Sequence, residues 1–541
     1  MLRSYHMKLR LFPYCCLALA VVFLLTPTNS SRLYFQNAYA AYTKAVPIAG
    51  GPTLIDPNLK AEVVFKGLEV PTSMAFLGPN DILVLEKNKG TVDRIVDGNM
   101  IKQPLLHVNV ATEVEHGMLG IAVAGANNGG SLATATTTSS ATSEKSNDKH
   151  NDGNDNTKDE PGSASVFLYY TQGNGNQEQN KLYRYELANN HLTNAKLLLT
   201  LPAVSPNLSG ENNNHNGGKV VIGPDNNVYT VIGDVGGREG QAQNVKDGDE
   251  LDGTSGILRV TQDGDAVGNG IFGSDEPASL YYAYGIRNSF GIDFDPVTHK
   301  LWDTENGPTF GDEINLVNLG FNSGWSQVAG IWKAGTNPGP LIGADNNNPP
   351  NDLVTFGGKG VYRAPEFSWL PTIGPTALKF LNSAKLGSQY QNDMFVGDVN
   401  TGNLYYFKLD QNRDGLVLNG PLVNKVDNSL DELTSVIFGK GFGTITDLQV
   451  GPDGYLYVLT FGGILYRIVP LHPISNNGNN GNELQSTSNT PSTSSTINNN
   501  IPSSSNNQQH QQKTSNNESN NNVGGVIGTI IPEHTPSRII K

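Results

Sequence analysis

The sequence predicts an all-β fold of the propeller type, and three observations predict it. Short runs of β-branched and aromatic residues recur at 82–85, 220–222, 228–232, 404–407 and 456–459, most bounded by Gly, Pro, Asp or Asn. One hairpin unit returns along the chain. Amphipathic helical spacing is nearly absent.

The recurring unit reads Phe76-Leu77-Gly78-Pro79-Asn80-Asp81-Ile82-Leu83-Val84, and again Ile222-Gly223-Pro224-Asp225-Asn226-Asn227-Val228-Tyr229. A variant is Phe294-Asp295-Pro296-Val297-Thr298-His299-Lys300-Leu301-Trp302, and another copy is Val450-Gly451-Pro452-Asp453-Gly454-Tyr455-Leu456-Tyr457. Each is strand, Pro/Asp turn, strand. Proline presets φ, and Asp, Asn or Gly tolerates the turn positions that follow. A hairpin repeated in this way marks propeller blades. An array of β-sandwiches is the alternative, but its repeats would not share one turn so closely.

The strand signals occupy residues 54–470 of the 541. Arg3, Lys8 and Arg10 precede an apolar run at 11–25, the pattern of a secretory signal over residues 1–40. An uncleaved anchor is the alternative, but the run is shorter than a comfortable span of ~20 residues. Membrane attachment, if any, would run through this segment alone. Residues 30–51 read as a linker. Residues 125–162 are Ser, Thr, Asn, Asp and Gly with almost no large apolar side chain, a disordered insertion between strand-like 119–123 and 166–170. The tail, residues 475–541, is of the same low-complexity kind.

The net charge of −14 argues against nucleic acid as a partner and suits cation binding. The only cysteines, Cys15 and Cys16, lie in the N-terminal apolar run, so no disulfide staples the folded part.

Three blocks concentrate chemistry. Asn214-His215-Asn216-Gly217-Gly218-Lys219 precedes a strand, and Asp234 follows the hairpin, so a histidine and a carboxylate return to one end of a sheet. Such a pair is a general base with its orienting group, although a loop histidine held by a carbonyl would read the same. In Tyr284-Gly285-Ile286-Arg287-Asn288, Arg287 offers a planar fork of donors, for a ligand or for bracing neighbouring blades. Glu305-Asn306-Gly307-Pro308, Gly311-Asp312-Glu313-Ile314-Asn315 and Gly320-Phe321-Asn322-Ser323-Gly324-Trp325 are dense in hard oxygen donors of the kind Ca2+ takes, or are plain acidic turns.

Together, in this order, these blocks resemble the soluble quinoprotein sugar dehydrogenases, the glucose/sorbosone dehydrogenase family. Glu115-His116-Gly117-Met118-Leu119-Gly120 resembles that family's Gly-Leu-Leu-Gly segment. The resemblance runs from about residue 68 to 468. It implies a six-bladed propeller of four-stranded antiparallel sheets that binds pyrroloquinoline quinone (PQQ) through Ca2+ and oxidises the anomeric carbon of aldoses to lactones. By position, His215 matches the general base, Asp234 its orienter, and Arg287 the group that stabilises charge on the reduced cofactor. Glu115, Arg287 and Asn288 match cofactor contacts. The carbonyls of Gly307 and Pro308 match the catalytic Ca2+ site, and Glu313 with the Ser323 carbonyl a structural one.

The sequence departs from the family at the clamp for the PQQ carboxylates. A lysine position is Asn400, and two arginine positions are Thr444 and Thr446. Charge-assisted hydrogen bonds contribute about 1.5–3 kcal/mol each, so three losses imply an affinity lower by several decades. Three functions fit: an exported aldose dehydrogenase taking a small sugar and passing electrons to an unnamed acceptor, a non-enzymatic extracellular binding propeller, or a Ca2+-dependent lactonase.

Overall fold

The computed structural model describes residues 47, 50–125, 164–173, 177–204, 213–237, 239–331 and 352–472. The N-terminal segment 1–40, nearly all of 125–162 and the tail from 475 lie outside them. Among the described residues the helical elements are short 3-10 turns, such as Gly420–Asn424.

The strands form six hydrogen-bonded sheets. Their first strands are Pro71–Gly78, Met118–Ala124, Val220–Ile222, Ser289–Phe294, Pro375–Phe380 and Ile445–Val450. Each of these lies against the next, and the last against the first, so the sheets close in a ring, a β-propeller. Closure is sealed by chain order: the early strand Leu59–Lys66 pairs antiparallel with Ile464–Pro470, which completes the final sheet. Building one sheet from an early and a late strand locks the ring closed.

The repeated Pro/Asp unit is the turn between the first and second strands of four of these sheets: 71–78 with Asp81–Glu86, 220–222 with Val228–Ile232, 289–294 with Leu301–Glu305, and 445–450 with Leu456–Thr460. The aspartate locks the turn. Asp225 accepts from the Asn227 N–H at 3.2 Å and the Tyr229 hydroxyl at 2.8 Å. Asp453 repeats this with the Tyr455 N–H at 3.2 Å and the Tyr457 hydroxyl at 2.9 Å.

Among the described residues only the second and last sheets have four strands, whereas uniform four-stranded antiparallel sheets were expected: in the first, Asn99–Met100 and Leu106–His107 both pair with Thr91–Val96, and the fifth gains Thr53–Leu54. The third sheet adds Phe321–Asn322 and Val361–Tyr362, both parallel, and the fourth adds Val426–Asp427, also parallel. Residues that leave one sheet dock on an unsatisfied edge instead of returning directly.

The apolar core lies between neighbouring sheets. Met74, Phe76 and Ile82 of the first sheet interleave with Tyr457, Leu459 and Leu465 of the last. Trp302, Phe380 and Trp369 fill the gap between the fourth and fifth. Burying each such side chain stabilises by roughly 1.5–3 kcal/mol, which holds the ring without disulfides.

Candidate active site

The Pro/Asp turns all lie at one end of their hairpins, so residues just before a first strand and just after a second strand gather at the other end. Glu115, His215, Arg287, Asn288 and Thr444 precede first strands; Lys87, Asp234, Gly307 and Asn400 follow second strands. Topology therefore brings most of the sequence-predicted residues to one rim.

His215 and Asp234 meet there. His215 Nδ1 is hydrogen-bonded to Asp234 Oδ1, and both side chains are buried. The Asp234 N–H donates to the Arg287 carbonyl at 2.9 Å and the Gly233 N–H to the His215 carbonyl at 3.1 Å. A Cβ on Gly233 would fall 2.4 Å from the Arg287 carbonyl oxygen and 2.7 Å from that of His215, so only glycine lets the two loops approach. His215 itself adopts φ +63°. Burial pushes the Asp234 carboxyl up, but His215, Arg287 and the Trp325 N–H outweigh it, and the group sits below its ordinary value. An ionised Asp234 accepting from Nδ1–H leaves the lone pair on Nε2, the form a general base requires.

Arg287 is half-buried. Its Nη1 donates to the carbonyls of Asn306 and Gly307, each at 2.9 Å, and its guanidinium stands 5.4 Å from the Trp325 ring centroid. The Gly307 carbonyl that the sequence assigned to Ca2+ is thus held by Arg287 here. For the Pro308 carbonyl no hydrogen bond to another described residue is present.

Glu115 and Asn288, predicted as separate cofactor contacts, touch each other. Asn288 Nδ2 donates to Glu115 Oε1 at 3.3 Å, and the Asn216 N–H donates to Oε2 at 2.9 Å. Sequence reading missed Lys87, a buried lysine after a second strand that interacts with this carboxylate. Burial pushes its ammonium down to about 8, against the fields of Glu115 and Glu113.

A second cluster is dominated by carboxylates. Register pairs Glu305 with Glu313 and Asp303 with Asn315 across one hairpin, so alternation puts all four side chains on one face. Ser323 Oγ donates to Glu305 Oε2 at 2.6 Å and to Glu313 Oε2 at 3.3 Å. The serine hydroxyl, rather than the carbonyl expected from sequence, is what meets Glu313. Asp303, Glu305 and Glu313 are buried, and among the described residues neither Asp303 oxygen has a hydrogen-bond partner at normal geometry, although the Asn315 amide faces it across the hairpin. Burial pushes the Glu313 carboxyl up to about 7, and burial with the neighbouring Glu313 pushes Asp303 and Glu305 up as well. Three buried carboxylates with no cation beside them are costly, whereas a divalent ion would satisfy them. The hard oxygen set fits Ca2+. Asp303 was legible only through its alternation with Glu305.

The chain has known relatives. The model of the family described as Glucose / Sorbosone dehydrogenase matches residues 155–467. The chain belongs to this family. It is 27% identical over 311 residues to the aldose sugar dehydrogenase YliI of Escherichia coli, covering 57% of this chain and 74% of that protein. It is 33% identical over 302 residues to quinoprotein glucose dehydrogenase B of Acinetobacter calcoaceticus, covering 46% of this chain and 59% of that one. The crystal structure of the soluble aldose sugar dehydrogenase from Escherichia coli in the apo-form superposes with a TM-score of 0.54 and 22% identity, over 76% of this chain and 99% of that chain.

At the three positions where the resemblance leads one to expect cationic clamp residues, this glucose/sorbosone dehydrogenase chain has neutral groups already engaged. Thr444 is buried and donates to the Val399 carbonyl at 3.2 Å; Thr446 donates to the Leu459 carbonyl at 3.3 Å. Asn400 donates to the Thr372 carbonyl at 3.3 Å. The nearby Lys219 is taken by Asp447 in a buried pair. His215, Asp234 and Arg287 thus stand together on one part of the rim, whereas Asn400, Thr444 and Thr446 offer no positive charge to an anionic ligand.

Proposed function

We propose that this chain is an exported sugar dehydrogenase that oxidises the anomeric carbon of an aldose, yielding a lactone, with Ca2+ as a resident ion. The observation that carries the reading is the His215–Asp234 pair, held beside Arg287 at the rim where the sheets converge. A scaffold has no need of a base with its orienter.

His215 Nε2 would take the proton of the C1 hydroxyl, and Asp234 would stabilise the imidazolium that forms. The hydrogen on C1 leaves with its electron pair, which requires a two-electron acceptor alongside; a quinone would supply one. Arg287, one of whose nitrogens is engaged with carbonyls, would support negative charge on such an acceptor. We read the ring of six sheets as six blades, with Ca2+ at Asp303, Glu305, Glu313 and Ser323. Asn400, Thr444 and Thr446 lack the charge that the carboxylates of PQQ call for, so these positions do not fit that cofactor. Those neutral positions favour a second reading, a binding propeller that keeps the fold without turnover.

Titrating the purified protein with PQQ plus Ca2+, then following dye reduction with a panel of aldoses, separates the two. Aldose-dependent reduction supports the enzyme. No reduction with any aldose at saturating PQQ and Ca2+ overturns it in favour of the binding propeller.

A further inference from the structure

The loop that carries Glu115 also brings together ligating atoms that the reading above does not use. Glu113, His116 and Glu178 each offer one such atom, all within 4.8 Å of one another. His116 is 0% exposed and Glu178 6%, while Glu113 reaches solvent.

The histidine's hydrogen bonds decide its form. Nε2 lies 3.0 Å from the Ala203 carbonyl oxygen, which only accepts, so Nε2 carries the proton. In the neutral ring Nδ1 then holds a lone pair. That lone pair lies 2.9 Å from Glu178 Oε2 and makes no hydrogen bond. A lone pair facing an anionic oxygen at this distance, away from water, is repulsive unless something positive stands between them. Metal-binding histidines have this arrangement: one ring N–H donated to a backbone carbonyl, the other nitrogen turned toward further ligands.

We propose that Glu113, His116 and Glu178 form a site for a divalent transition-metal cation of the Zn2+ class, separate from the Ca2+ positions. One imidazole with two carboxylates suits such an ion, whereas Ca2+ takes an all-oxygen shell. The 2.9 Å separation of Nδ1 and Oε2 lets one ion lie about 2.0–2.1 Å from both atoms. Exposed Glu113 gives the ion its entry from solvent and leaves coordination positions to water.

Occupancy would tie residues 113–116 to the start of the strand Gln179–Ala188. Asn180 extends this connection toward the rim. It donates to the Pro202 carbonyl at 2.9 Å and to Asn216 Oδ1 at 2.6 Å, and the Asn216 N–H donates to Glu115. Lys87, which feels the field of Glu113, is the internal competitor for that carboxylate.

The test uses the full chain, stripped of metal and then held in excess Ca2+ so that Ca2+ sites are filled and silent. Calorimetric titration with Zn2+ is run on wild type, Glu113→Gln and Glu178→Gln. Glu113 is exposed, so its variant tests the site without risk to folding, and circular dichroism checks the other. The expected result is one Zn2+ per wild-type chain and at least about tenfold weaker binding in both variants, with unchanged spectra. Absence of Zn2+ binding by wild type, or equal affinity in all three proteins, would overturn the site and leave a proton on Nδ1 as the occupant. Neither readout depends on sugar oxidation.

Discussion

Trp325 donates its indole N–H to Asp234 Oδ2 at 2.9 Å while its ring faces the Arg287 guanidinium at 5.4 Å. One side chain thus touches both the group that orients His215 and the cation beside it. Trp325→Phe keeps the ring and removes the donor. Aldose turnover should fall by about tenfold, the equivalent of 1.4 kcal/mol, with KM little changed. His215→Ala should cost more, about 10²–10⁴-fold, with cofactor affinity retained. Steady-state kinetics on both variants checks this; equal kcat in Trp325→Phe and wild type would remove Trp325 from the site.

Glu313 should govern the response to Ca2+. A ligand that binds only the folded state stabilises it by mass action. Wild type should therefore gain thermal stability on Ca2+ addition, and Glu313→Ala should lose most of that gain. Asp303→Asn removes a buried carboxylate whose oxygens have no hydrogen-bond partner at normal geometry among the described residues, so in chelator it should melt no lower than wild type, yet respond less to Ca2+. Melting curves with and without Ca2+ decide it, and identical shifts in all three proteins would count against the site.

Asp427 should shape the pH dependence of stability. Its side chain is buried, with Oδ2 making no hydrogen bond, and burial followed by the field of Glu432 pushes the carboxyl up to about 7. Between about pH 4 and 7 the folded state then holds a proton that the unfolded state has lost, so stability falls as pH rises through that window. The loss is of the order of 2–4 kcal/mol. Asp427→Asn should flatten the profile and raise the melting temperature at pH above 7. A pH profile parallel to wild type would be the contrary result.

The two threonines at the clamp should differ in what they tolerate. Thr446 is half-buried, whereas Thr444 is 4% exposed and packed against Val399. Thr446→Arg should fold normally and tighten PQQ binding by about tenfold or more, as one charge-assisted hydrogen bond allows. Thr444→Arg should lower the melting temperature, because overpacking costs about 1–3 kcal/mol. Fluorescence titration with PQQ and melting curves on the single variants test both halves.

The sequence by itself determined the fold class, since the Pro/Asp hairpin and short strand runs are local patterns. Four turns announce themselves because their geometry is encoded within about nine residues. The sheets beginning at Met118 and Pro375 did not, because their first and second strands are joined through long connections without that turn. His215, Asp234, Arg287 and Glu313 were legible as motif positions. Tertiary structure alone decided who meets whom. Glu115 turned to Asn288, Arg287 engaged the Gly307 carbonyl, and Ser323 reached Glu305 and Glu313. Lys87 and His116 acquired partners more than twenty residues away. The physical reason is that turns and strand alternation follow from short-range sterics, whereas charge pairing and burial depend on sheets distant in sequence converging at one rim.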